Sequence, residues 1–125
     1  MESLEESIFK KSKRVVLKIG SAIIIGNNSN LINEKLLRGI VNEINKLHKM
    51  EKEVLLVSSG ALALGKKNLK LINNLKLTEK QAAASIGQVL LINAWRKAFS
   101  KMKMNCGQIL LTHMDAENRG SAINA

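Results

Sequence analysis

At 125 residues, 46% of them apolar, the chain is long enough for one domain or a piece of one, with an aliphatic core, and too apolar to be disordered. Its formal charge of +10 comes mostly from lysines spread along the chain, with only Arg14, Arg38, Arg96 and Arg119 as guanidinium donors and Phe9, Trp95 and Phe99 as aromatics, so nucleic acid is not an expected partner. No uncharged apolar run could span a bilayer, the start lacks a secretory signal pattern, and the single Cys106 permits no internal disulfide, which predicts a cytoplasmic protein with no membrane partner.

Residues 1–13 are polar and read as a frayed or loosely helical lead-in. Residues 14–19 (Arg-Val-Val-Leu-Lys-Ile) form a short, nearly continuous apolar run, the pattern of a strand buried on both faces of a parallel sheet. The run breaks at Gly20-Ser21, and residues 26–30 (Gly-Asn-Asn-Ser-Asn) make a loop. Asn33 is placed to cap an amphipathic helix in which Leu36, Leu37, Ile40, Val41, Ile44 and Leu47 recur at helical spacing to about residue 50.

A second buried strand is expected at residues 53–57, breaking at Ser58-Ser59-Gly60-Ala61 into a short helix over 61–69. After a Lys/Asn-rich connection, Thr78-Glu79-Lys80-Gln81 reads as a capping box opening a helix to about Lys101. Gly87 inside that helix points to the close approach of another backbone. Residues 106–112 (Cys-Gly-Gln-Ile-Leu-Leu-Thr) predict a third strand, followed by a polar tail. The order predicts an α/β fold with a parallel sheet, and ligands in such sheets sit beyond the carboxyl ends of the strands. Gly20-Ser21, Ser58-Ser59-Gly60 and Thr112-His113 all fall at those ends.

Turns of Gly and Ser leave backbone N–H groups uncovered, and at a helix start they suit phosphate or carboxylate. Lys18, two residues before Gly20, is either a positive charge for a nucleotide's phosphates or a strand-end lysine reaching solvent, and spacing alone leaves both open. Ser58-Ser59-Gly60-Ala61, taken by itself, fits an ordinary Ser cap better than an anion site. Residues 60–66 match G-x-x-x-x-G-K, but Lys67 stands where a phosphate loop needs Ser or Thr, and Ala-Leu-Ala-Leu suits a packed helix. His48 fits a solvated helix border, His113 has no evident catalytic partner, and Cys106 fits a small packed hydrophobe. Asp115, Glu117, Asn118 and Arg119 either cap the site edge or form a solvated loop.

Four blocks in order resemble the amino-acid kinase family, and within it the glutamate 5-kinase branch. They are residues 16–21 (Val-Leu-Lys-Ile-Gly-Ser); residues 56–61 (Leu-Val-Ser-Ser-Gly-Ala) with Gly65; residues 80–84 (Lys-Gln-Ala-Ala-Ala) with Gly87-Gln88; and residues 108–112 (Gln-Ile-Leu-Leu-Thr) with Asp115, Arg119 and Asn124-Ala125. The first block is shared across the family, whereas the last two are particular to the branch. The resemblance implies a three-layer αβα parallel sheet, truncated after about three core strands. Residues 14–125 would be the glutamate-binding part of the kinase domain, without its nucleotide lobe or the RNA-binding-like domain of many bacterial members.

The implied activity is transfer of the γ-phosphoryl group of ATP to the side-chain carboxylate of glutamate, an early step toward proline. The implied cofactors are ATP and Mg²⁺, the metal held mainly through the nucleotide, with proline as a candidate feedback inhibitor and a homo-oligomer as the full-length form. Lys18 matches the phosphate-contacting lysine and the catalytic position, Gly20 and Ser21 the turn beside it, and Ser59, Gly60 and Ala61 the glutamate-binding turn. Ala22 departs from the Ser or Thr usual in bacterial members and matches the kinase portion of bifunctional pyrroline-carboxylate synthetases. The expectations are thus a truncated and inactive glutamate 5-kinase prone to self-association at its open sheet edge, the kinase portion of such a synthetase, or a non-catalytic basic α/β binding fragment.

Overall fold

The computed structural model of the chain describes residues 3–26, 32–72 and 74–117. In chain order they form α1 (Leu4–Lys11), β1 (Arg14–Ile19), α2 (Ser21–Ile24), α3 (Glu34–Lys49), β2 (Glu53–Ser58), α4 (Ala61–Asn68), α5 (Leu77–Ser100) and α6 (His113–Glu117). The expected loop at 26–30 lies, apart from Gly26, outside the described residues, as do Asn118, Arg119 and the rest of the tail.

The strands pair in parallel, from Arg14↔Glu53 to Ile19↔Ser58. Polar ties pin the first rung. Arg14 donates from Nε and Nη2 to one Glu53 oxygen at 3.0 and 2.8 Å, and Lys13 Nζ reaches the other at 3.4 Å. Lys52, one residue before β2, is 6% exposed and so has to find compensation for its charge. It donates to the carbonyls of Phe9 (2.7 Å), Ser12 (2.6 Å) and Lys10 (3.4 Å), and stands 4.7 Å from the Phe9 ring centre. These carbonyls belong to the open C-terminal end of α1, where a cation is favoured. The polar lead-in is therefore an ordered helix, opened by a Ser3–Glu6 capping box.

Asn33 caps α3 as expected, its Oδ1 accepting the Leu36 N–H at 3.1 Å. Leu37, Val41 and Ile44 of α3 are buried. They join Ile24, Leu64, Leu91, Trp95, Ala98 and Phe99 in one core cluster, against which Leu17, Ile19, Val54 and Leu56 of the sheet pack. The buried stripe of α5 changes character along its length, from Ala83 and Gly87 to Leu91, Trp95, Ala98 and Phe99. The large end fills the core. At the small end α5 lies directly on α4: a β-carbon on Gly87 would overlap the Ala61 carbonyl, and one on Gly65 would overlap the Ala83 carbonyl.

Three expectations need correction. The long helix opens at Leu77, not after Thr78, because the Glu79 carboxylate accepts the Lys76 N–H at 2.7 Å and captures the amide one turn earlier. The strands are covered on one face only: Val15, Leu17, Ile19, Val54 and Leu56 are half-buried, while Val16, Lys18, Leu55 and Val57 are exposed on the other. Residues 104–112 form no strand; Met104 and Cys106 rest against the core, but Ile109, Leu110 and Leu111 stand 61–71% exposed. Apolar periodicity reports a preference for burial and pairing, and a strand exists only where a neighbouring edge takes it up. Thr112 instead opens α6, its N–H and hydroxyl donating to Asp115 at 2.8 and 2.6 Å, and those bonds hold the Asp115 carboxyl below its usual range. The fold class stands as mixed α/β, with two parallel strands among the described residues. No described helix is long and apolar enough to cross a membrane.

Gly87→Ala is expected to lower stability by about 3 kcal/mol in urea unfolding, since backbone cannot yield to the new methyl. Gly39→Ala, in α3 with open space around the added carbon, is the control and should raise stability by about 0.5–1 kcal/mol. The hydrogen bonds from Arg14 first, and then those from Lys13, hold the Glu53 carboxyl below its ordinary 4.5. A depressed folded-state value stabilises above the unfolded value, and the contribution is lost as pH falls through the folded one. Acid titration of Glu53→Gln should therefore show a flatter loss of stability below about pH 4.5 than the parent chain.

Candidate functional site

The parallel register carries both strands to the same level, with Ile19 opposite Ser58. The turns that follow meet. Ser59 donates its backbone N–H (3.1 Å) and its hydroxyl (3.3 Å) to the Ile19 carbonyl. Gly60 adopts φ 129° and ψ −4°, a conformation open to glycine and strained for other residues. A β-carbon there would lie 3.6 Å from both Cα and Cβ of Ser21, so the two turns are close neighbours. An open cleft of about 320 Å³ lies over the junction, lined by Ser21, Gly60, Leu62, Ala63 and Lys66.

The two turns differ in the helices they open. Gly20 precedes α2, a single turn of four residues, too short to gather much dipole. It stands in open space, with nothing within 4 Å of where a β-carbon would be, which leaves its backbone accessible. Gly60 and Ala61 open α4, eight residues long, whose first amides have no intrahelical acceptors. Neutral hydroxyls and amide N–H groups suit the oxygens of a carboxylate or phosphate rather than a metal cation. Among the described residues no group of three His, Cys, Asp or Glu side chains could hold a metal ion.

The structure brings Ser21, Ser59, Gly60 and Ala61 together and leaves Lys18 apart. Lys18 lies on the uncovered face of the sheet with Val16 and does not line the cleft. Its burial cost is accordingly small. The third expected turn, Thr112-His113, is the start of α6 and not a strand end. Residues 60–66 are no phosphate loop: 61–68 are regular helix, with Gly65 pressed on the Ala83 backbone.

Two participants escaped the sequence reading. Lys66 joins the cleft because it shares a helix face with Leu62 and Ala63, a spacing visible in the sequence but read there only as part of a false motif. Trp95 is 4% exposed and donates its indole N–H to Ser58 Oγ at 2.9 Å, a contact across 37 residues that no local pattern announces.

A parallel α/β unit whose strand-end turns meet at a cleft lined by small and hydroxyl residues has the donor chemistry that suits an anion. Residues 13–124 match the amino acid kinase family, and the chain belongs to that family. Among its relatives, the glutamate 5-kinase of Pelagibacter ubique is 44% identical over 117 residues, covering 93% of this chain and 32% of that protein. The glutamate 5-kinases of Bradyrhizobium diazoefficiens and Caulobacter vibrioides are each 40% identical over 126 aligned positions, covering all of this chain and 33% of theirs. The chain thus spans about a third of the length of the curated relatives it matches.

At Gly60 the added carbon has room and only the backbone angle is strained. Gly60→Ala should cost about 1–3 kcal/mol in urea unfolding, whereas Gly20→Ala, at φ −75° in open space, should leave stability unchanged.

Proposed function

We propose that the chain is the glutamate-binding part of a kinase that phosphorylates the side-chain carboxylate of glutamate, the first step toward proline. The observation that carries this reading is the junction of the turns. Ser59 hangs on the Ile19 carbonyl and Gly60 lies against Ser21, so two anion-suited turns sit side by side. One turn takes the acceptor carboxylate and the other faces the phosphates, the proximity that phosphoryl transfer requires. Family membership and the named relatives support the same reaction.

An ionised carboxylate is already a nucleophile, so the site needs no general base. Its oxygen attacks the γ-phosphorus of ATP, the bond from that phosphorus to the bridging oxygen breaks, ADP leaves, and an acyl phosphate remains. ATP would bring Mg²⁺ held mainly through its phosphates. Gly60 and Ala61 hold glutamate through amide donors, with the Ser59 hydroxyl turning from the Ile19 carbonyl to the carboxylate when glutamate binds, and Gly20 and Ser21 hold phosphate oxygens. Lys18, which stands on the uncovered face of the sheet, would turn around the strand end on its four-carbon stem to neutralise the transferring group. Lys66, in the lining of the cleft, adds a second positive charge. The reading places the protein in the cytoplasm, as a homo-oligomer at the relatives' length, with proline as a feedback inhibitor. The 125 residues by themselves are expected to bind glutamate and make no glutamyl phosphate.

The test replaces the matching third of the Caulobacter vibrioides kinase with residues 1–125 and follows glutamate-dependent ADP release. Lys18→Ala should lower kcat by about 100-fold, the loss typical of a charge-stabilising donor. Ser59→Ala should raise the KM for glutamate by about tenfold with a smaller effect on kcat, as for a hydrogen bond to a charged group. Parent kinetics in both variants would overturn the assignment.

A further inference from the structure

The turn at residues 58–61 is held at both ends by one helix. Before it, Trp95 of α5 donates its indole N–H to Ser58 Oγ at 2.9 Å. After it, Gly87 of the same buried stripe takes the Ala61 carbonyl against its bare α-carbon. Ser59 and Gly60 lie between these anchors and face the neighbouring turn, with Ser59 N–H bound to the Ile19 carbonyl at 3.1 Å.

The Gly87 anchor is steric and fixes a distance. The Trp95 anchor is directional: a buried indole N–H requires an acceptor, and the one it has is the last side chain of β2. The rest of the Trp95 ring is accounted for by packing, with the Phe99 ring 6.2 Å away at 42°. Its single polar atom is therefore free to serve the turn. With Ser58 Oγ released, a displacement of the Ser58 backbone would carry the next residue, Ser59, off the Ile19 carbonyl and part Gly60 from Ser21.

We infer that Trp95 is a positioning residue: through Ser58 it sets the orientation of Ser59 and Gly60 in the cleft, and its N–H contributes to ligand affinity without touching ligand. That the ligand is glutamate rests on the function proposed above, whereas the positioning itself does not.

Amide hydrogen exchange on the 125-residue chain separates the two. Trp95→Phe keeps an aromatic ring against Phe99 and deletes the N–H; Ser58→Ala deletes the acceptor; Ser58→Thr retains it. In Trp95→Phe and in Ser58→Ala the Ser59 amide should exchange about fivefold faster, the factor that one ordinary hydrogen bond represents. The buried α3 amides of Leu37 and Val41 should hold their parent rates. The double variant should be no faster than either single one, and Ser58→Thr should behave as the parent. In Ser58→Ala the indole N–H of the chain's one tryptophan should itself lose protection.

Calorimetric titration with L-glutamate should show the same pattern, about fivefold weaker binding in each single variant and no further loss in the double. Parent exchange at Ser59 in Ser58→Ala overturns the inference, as does acceleration spread equally over α3, which would make the contact a general core bond. Failure of Trp95→Phe to fold leaves the decision to Ser58→Ala and Ser58→Thr. If the exchange pattern holds and the parent chain binds no glutamate, the positioning stands and the glutamate reading of the turn falls.

Discussion

The packing of α4 on α5 depends on two glycines that admit backbone where every other residue would place a side chain. Gly87 receives the Ala61 carbonyl and Gly65 presses on that of Ala83, so the contact is reciprocal and fixes both the spacing and the axial position of the two helices. The usual spacing of packed helices is set by side chains, and removing them draws the backbones together. Because Ala61 is the first residue of α4, the contact also fixes where the chain leaves β2. The geometry of the cleft is thus inherited from a helix–helix contact in which none of the cleft's hydroxyls takes part.

Two independent constraints converge on the same four residues. The register of the strands brings Ile19 level with Ser58, and the glycine contact brings the α4 start over the end of β1. Neither alone would join the turns. A slip in register would leave Ser59 without the Ile19 carbonyl, and a shift of α4 would part Gly60 from Ser21. The pins at the opposite ends of the strands, Arg14 and Lys13 on Glu53, therefore act on the site from the far edge of the sheet by forbidding the slip.

What the sequence made legible was local. The Asn33 cap, the apolar stripe of α3, the strand at 53–57 and the close approach at Gly87 each follow from residues within a few positions of one another. What it hid depended on partners distant in the chain. Residues 106–112 carry strand composition, but a strand needs an edge to join, and composition is silent on that. Both β-strands read as buried on two faces because runs of Val, Leu and Ile are what a doubly covered strand requires, and such runs state a need for cover without supplying it. Thr78 has the chemistry of a cap, yet Glu79 reached the preceding amide first. At the site, the small-residue turns were readable because Gly and Ser announce exposed amides. Trp95 and Lys66 were not, since the first acts across 37 residues and the second was masked by a motif it does not form.

The surroundings of the Lys52 ammonium group have the character of a binding site for a monovalent ion: three carbonyl oxygens and an aromatic face, with Lys52 itself only 6% exposed. In this chain the occupant is covalently tethered. A dissolved potassium or ammonium ion would leave on dilution and compete with others of its charge, and the helix it fastened would respond to the ionic contents of its surroundings. By supplying the ion as a side chain of its own, immediately before β2, the chain makes the attachment of α1 a property of the fold rather than of the salts around it.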